Sequence, residues 1–280
     1  MPAASNRIEP LEAPLYPDFP LVPSTPPGGQ PAFWVGPRHL AGDDKRLYDA
    51  VADTLSGLGW SSLTIVRGRD EPDEDRQVLR STVLHISPDT LRWAQWCLPD
   101  EPFYLGELPI AWQISARPDT GSPLAGWSAY FTPDVPGEAV ADFLVALDAR
   151  DQPVVPFTGP EVVLDAVAVH GWLRDIDQPD AAATDPTFTS HISLGEVPPL
   201  IQDGDPRALT TSADEAGPAG WQAWAEPALG APCLWVASFG SSVPHDLVAA
   251  FASSLSSTAP VLRRVLPEAT QERLLRAPAV

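Results

Sequence analysis

Apolar residues recur at helical spacing in four places. Leu47, Val51 and Leu55 form one stripe over residues 44–58, with Asp43 or Asp44 placed to cap its start and Gly57 and Gly59 to stop it. Pro136 opens a second helix running to Arg150, with Val140, Phe143, Leu144 and Leu147 as its buried stripe. Residues 160–169 form a third, shorter helix, and residues 244–256 a fourth with Leu247, Val248, Phe251 and Leu255. Between helices the period falls to two, predicting strands at 62–67, 79–86, 91–98, 109–116 and 126–132. Ile110, Trp112 and Ile114 then share one face, as do Trp127, Ala129 and Phe131.

This pattern occurs twice. The segment 127-WSAYFTPDVPGEAVADFLVAL-147 matches 235-WVASFGSSVPHDLVAAFASSL-255 without a gap at an offset of 108 (235 − 127). Matching 49-DAVADTLSGLGW-60 to 165-DAVAVHGW-172, 87-SPDT-90 to 212-SADE-215 and 93-WAQW-96 to 221-WQAW-224 puts eight tryptophans in four pairs: Trp60/Trp172, Trp93/Trp221, Trp96/Trp224 and Trp127/Trp235. So long a period suits two whole domains better than a solenoid. The expected fold class is α+β: two tandem homologous domains, each a helix, an antiparallel meander of about five strands and a helix. Each buries a small core of its own, and the two pack as an internal pseudo-dimer through their Trp-bearing sheets, face to face. The boundaries are a Pro-rich extended or disordered arm at 1–32, a first domain at 33–150, a second at 151–260 and an Arg-containing tail at 261–280.

Thirty-seven acidic against 17 basic residues give a net charge of −20, which repels a phosphate backbone and argues against nucleic acid. The runner-up that keeps nucleic acid in play uses the arginines of the tail, Arg263, Arg264, Arg273 and Arg276. No apolar run is long enough to span a membrane, and the start of the chain lacks a secretory pattern, so the expected location is cytoplasmic. Cys97 and Cys233 lie in apolar surroundings and read as buried thiols.

The segment 37-PRHLAG-42, the Ser87-Pro88-Asp89 motif and the closing W-x-A-x-F…V-P…V-A-x-F of both copies resemble the SPDY domain, a streptomycete domain of unknown function usually present twice per chain. Thr90 stands where the name-giving motif has Tyr. The resemblance implies no activity. The order helix, meander, helix also resembles the secretion-chaperone-like fold, whose members bind other proteins.

Ser87-Pro88-Asp89 has the composition of a turn. An enzymatic alternative would gather His39, His85, Ser87 and Asp89 into one site, but no metal-ligand spacing, nucleophile elbow or phosphate loop accompanies them, and neither cofactor nor metal is expected. Trp93 and Trp96 stand three apart, as do Trp221 and Trp224, so in each doublet the two rings face opposite sides of a strand. A sheet with helices on one side leaves one ring of each doublet for a domain interface or a partner. The leading expectation is a binding or adaptor protein, not an enzyme, that engages a protein partner through Trp93, Trp96, Trp221 and Trp224 or an acidic surface, with homo-oligomerisation open.

Overall fold

Each of the four apolar stripes becomes a helix: α1 (Leu47–Gly57), α2 (Gly137–Asp148), α3 (Glu161–Ala168) and α4 (His245–Ser256). The computed structural model describes residues 32–70, 77–98, 104–105, 107–156, 158–195 and 220–279; of the Pro-rich arm only Ala32 falls among them. Pro136 and Pro244 sit at the N-caps of α2 and α4, where a missing N–H costs nothing. Asp43 accepts the N–H of Leu47, the first residue of α1, while Asp44 takes no part in capping α1. The N-cap residue is Arg46, while Asp43 also accepts the Lys45 N–H and Asp44, at φ +59°, accepts the N–H groups of Arg264 (2.6 Å) and Val265 (2.5 Å). Asp44, one of the two caps predicted from local sequence, is used instead to hold the far end of the chain.

The first meander is β2 (Ser61–Asp70), β3 (Gln77–Ile86), β4 (Arg92–Trp96), β7 (Trp112–Ala116) and β8 (Trp127–Phe131), with a small hairpin of β5 (Tyr104–Leu105) and β6 (Leu108–Pro109) between β4 and β7. The second is β9 (Leu173–Arg174), β10 (Ala182–Thr184), β11 (Ser190–Leu194), β12 (Trp221–Ala225) and β13 (Trp235–Phe239). They form one antiparallel sheet of ten strands, ordered β2-β3-β4-β7-β8-β13-β12-β11-β10-β9. The two halves therefore meet edge to edge, β8 against β13, and not face to face. Tyr130 pairs with Ser238, its own equivalent at offset 108, flanked by Ala129 with Phe239 and Phe131 with Ala237. The bonds Thr132 N–H to Val236 O (3.0 Å) and Gly240 N–H to Ser128 O (2.9 Å) exchange the same positions between the halves.

All four helices cover one face of this sheet. Helix α2 packs between α1 and α4, and α4 between α2 and α3. The strands beneath carry many alanines, including Ala94, Ala116, Ala129, Ala223, Ala225 and Ala237, which let the helices approach closely. Separate small cores are not what forms: one continuous buried cluster runs from Leu47 to Leu255 through both halves. At its centre Phe131, Phe143, Phe239 and Phe251 pack edge-on or tilted against one another. Phe131 to Phe251 and Phe143 to Phe239 each measure 5.7 Å between centroids, at 44° and 43°.

Register also corrects the middle of the repeat. Trp112 pairs with Phe131 and Ala116 with Trp127, just as Ala225 pairs with Trp235, so 221-WQAWA-225 corresponds to 112-WQISA-116 and not to 93-WAQW-96. In turn β4 corresponds to β11 at an offset of 98 (190 − 92), and the Ser87-Pro88-Asp89 turn to Asp185-Pro186-Thr187. The turns agree in detail. Thr90 and Phe188 both have positive φ, and both donate N–H bonds of 2.9 Å to the residue three before. The proposed match at 212–215 lies outside the described residues. Ile110 likewise leaves its expected face: the chain breaks pattern at Ala111, and Ile110 joins Cys97 in a separate cluster on the other side.

The C-terminal tail is built into the molecule. β1 (Phe33–Gly36) is flanked by β14 (Val261–Arg263) and β15 (Leu275–Pro278) in a three-stranded sheet, with Val35, Leu40, Ala41, Val261 and Leu274 buried together. Arg263 closes this unit on α2, binding both Glu138 oxygens at 2.6 and 2.7 Å and the Gly42 carbonyl at 2.8 Å.

Candidate functional site

The Ser87-Pro88-Asp89 motif positions an arginine. Ser87 Oγ accepts the Arg92 N–H (3.0 Å) and lies 2.6 Å from Asp89, whose other oxygen pairs with the Arg92 guanidinium. Arg92 is buried, and donates from Nε to Leu147 O (3.1 Å) and from Nη2 to Arg150 O at the end of α2. A cation there satisfies terminal carbonyls and opposes the negative end of the helix dipole. Burial alone would raise the Asp89 carboxyl, but the bonds from Ser87, the Leu91 N–H and Arg92 hold it below the usual range.

The second half meets the same need differently. Ser190 replaces Arg92, and Arg38 from the short 3-10 turn Arg38–Leu40 reaches the Ser254 carbonyl (2.8 Å) and hydroxyl (2.7 Å) in the last turn of α4. His39 beside it approaches Asp185, the equivalent of Ser87, at 3.7 Å and meets Trp172 edge-on at 5.7 Å. Asp185 is committed to its own turn, accepting from the Thr189 and Ser190 N–H groups (both 2.6 Å) and from Thr187. Burial pushes His39 down to about 4, only partly countered by Asp185, so the imidazole is neutral near pH 7.

His39, His85, Ser87 and Asp89 do not converge. The turns holding Ser87 and Asp185 lie six strand positions apart, roughly 30 Å at the usual interstrand spacing. His85 is buried on the helical face against Trp112, 5.7 Å between centroids, and its Nε2 has no hydrogen-bond partner among the described residues. Ser87 Oγ is occupied by its own turn. Of the other histidines, His245 accepts the Trp221 indole N–H (3.0 Å) and His170 contacts Ser256 (2.9 Å).

The tryptophan doublets divide as their spacing requires, but not pair for pair. Trp96 and Trp221 face the helices and the shared core. Trp224 lies on the opposite face, covered in a cluster with Cys97, Cys233, Leu105 and Ile110, stacked on His191 at 5.0 Å and bonded to Glu226 (3.1 Å). Burial raises the Cys233 thiol to about 12. Trp93 shares the non-helical face with Trp224 but is only half-buried.

Trp93 is one corner of an apolar patch. Across the ladder Ile86 pairs with Trp93 and Leu84 with Leu63, which is 54 % exposed. Leu84 and Ile86 are half-buried, and none of the four belongs to a buried cluster among the described residues. Their equivalents in the second half are Ala182 for Leu84, Thr184 for Ile86, His191 for Trp93 and, at the offset of 112 (173 − 61) that aligns β9 with β2, Asp175 for Leu63. On the helical face the corresponding positions stay apolar in both copies: Ala94 and Ile192, Trp96 and Leu194, Trp112 and Trp221. What sequence alone missed is this contrast, because it depends on knowing the register.

An open cleft of about 310 Å³ lies where the starts of α1 and α2 meet β14, lined by Asp43, Asp53, Glu138, Arg46 and Arg263. Its most buried cation, Arg263, is already saturated by Glu138 and backbone carbonyls. Among the described residues no group of three or more His, Cys, Asp or Glu side chains is arranged to hold a metal ion, and no helix is long and apolar enough to cross a membrane. No curated protein and no solved structure matches the chain. The SPDY family, described as a domain of unknown function (DUF317), matches residues 86–154 and 203–261, segments that carry the closing strand and helix of each half. With the Ser-Pro-Asp turn and the paired closing segments, these two matches make the chain similar to the SPDY family over both segments, consistent with two copies of that domain.

Proposed function

We propose that the chain is a non-catalytic binding protein that docks a protein partner on the patch of Leu63, Leu84, Ile86 and Trp93. The observation that carries this reading is the divergence between copies. A second half with Asp175, Ala182, Thr184 and His191 at these positions builds the same meander, so the fold does not require the apolar version. Apolar surface that folding does not need and water disfavours marks a contact site. A net charge of −20 favours a basic partner through steering and complementarity. The same reading treats the halves as an internal pseudo-dimer about an approximate two-fold axis between Tyr130 and Ser238, supported by the exchanged register and the matched phenylalanine contacts. With only one half apolar at this face, each chain takes one partner.

The test compares tagged wild type with Trp93→Ala and Leu63→Lys in capture from host lysate, with thermal unfolding as a control. Loss of the same captured protein in both variants, with unchanged unfolding and a 1:1 complex by sedimentation, supports the reading. Capture that survives both substitutions, or that is lost equally on Thr184→Ala in the second half, refutes it.

A further inference from the structure

We infer that the partner contributes an extended, basic segment that adds to β2 as an eleventh strand. This inference rests on the docking patch proposed above and specifies how it is occupied. The two edges of the sheet are unlike. β9 is two residues long, as edges guarded against pairing usually are, whereas its counterpart β2 runs for ten residues and has β3 as its one neighbour among the described residues. Ser61, Ser62, Leu63, Thr64 and Val66 are exposed and Ile65 half-buried. From 61 to 66 there is no proline, no charge and no glycine, so the devices that normally blunt an edge are missing from this stretch.

An antiparallel or parallel strand laid on this edge would take up outward N–H and C=O groups from alternate residues of β2. Every second side chain would fall beside Leu63 and Ile65, on the non-helical face that continues through Leu84 to Ile86 and Trp93. Backbone bonds would supply affinity and the patch would choose the side chains.

Three occupants compete for such an edge. The Pro-rich arm of this chain is a poor one, since nine of its first 31 residues lack an N–H. A second copy would bring a net charge of −20 against −20. An extended segment alternating basic and apolar residues satisfies the edge, the patch and the charge together.

The experiment uses the full chain and a dye-labelled, end-blocked peptide alternating Lys with Val or Ile. Three relatives accompany it: a Glu-for-Lys version, a version N-methylated on alternate residues with the same side chains, and the Leu63→Lys protein. Strand addition predicts binding of the Lys peptide, at least tenfold weaker binding for each of the three relatives, and at least tenfold slower amide exchange at 61–66 with none at 173–174. Equal affinity for the N-methylated peptide, equal affinity for the Glu peptide, no binding of the Lys peptide, or a free chain that sediments as a dimer with 61–66 already protected would each overturn it. If the N-methylated peptide binds as well while Trp93→Ala still abolishes partner capture, strand addition fails and the docking patch stands. If Trp93→Ala leaves capture intact, the patch itself fails.

Discussion

Phe131 lies where the two halves meet, and replacing it with alanine tests whether they fold as one unit. Its ring is fully buried, with centroids 5.7 Å from each of Phe143, Phe239 and Phe251, so two of its three aromatic contacts cross into the other half. Truncating a buried Phe costs about 3–5 kcal/mol when the cavity cannot collapse, and this one is held open by a sheet below and two helices above. That is about a fifth or more of the ~5–15 kcal/mol of an ordinary domain. Phe239→Ala should cost about as much, because Phe239 occupies the matching position with neighbours at 5.3–5.7 Å. The double variant should fall short of the sum by about 0.5–1.5 kcal/mol, the size of one aromatic pair. Equilibrium urea unfolding followed by circular dichroism and tryptophan fluorescence should show one transition, shifted as a whole, and amide exchange should accelerate in α3 and β11 as much as in α1 and β4. Two separated transitions, or protection in α3 and β11 untouched by Phe131→Ala, would refute a shared core.

Arg92→Ala removes a buried cation from the carbonyls of Leu147 and Arg150 and leaves Asp89 unpaired; urea titration should show a loss of about 3 kcal/mol that Arg92→Lys does not restore, and a loss under 0.5 kcal/mol would deny the capping role. His39 is depressed from 6.5 to about 4, so below pH 6.5 the unfolded chain takes up a proton that the folded chain refuses; its contribution is complete above pH 6.5, falls as pH drops and levels off below about 4. Between pH 7 and 4 the wild type should therefore lose about 3 kcal/mol more than His39→Phe, and equal slopes for the two would count against a buried neutral imidazole. Ending the chain at Pro260 strips both partners from β1 and removes Arg263 from Glu138; the truncated protein should melt at least 10 °C lower or fail to fold, and an unchanged melting temperature would show that 261–278 is dispensable.

The four helices and the five long strands of the first meander were legible from periodicity and turn residues, because a helix on a sheet must present one apolar stripe and a half-covered strand must alternate; the second meander was expected only as a repeat of the first, and β9, β10 and β11 were not placed. The duplication was legible too, where the closing Trp-x-Ala-x-Phe strand and its helix match without a gap. The tryptophan doublets show where such reasoning stops. By identity 93-WAQW-96 matches 221-WQAW-224, yet the ladder sets Gln222 opposite Ser238 as it sets Gln113 opposite Tyr130, one strand further along. Identity compares letters, and register follows from which backbone groups pair.

The chain's local pattern alone determined its elements, its twofold repetition and the acidic charge that sets it against phosphate. Tertiary structure decided the rest: that β8 and β13 join edge to edge, that the cores merge, that Arg92 and Arg38 serve the same helix end in different halves, and that Trp93 and Trp96 are both half-buried but only Trp96 packs on the shared core, leaving Trp93 in an apolar patch on the other face. Hydrophobic periodicity is a property of neighbours along the chain, whereas edge pairing, a capping arginine supplied from 216 residues away and the exposure of one face depend on groups that only folding brings together.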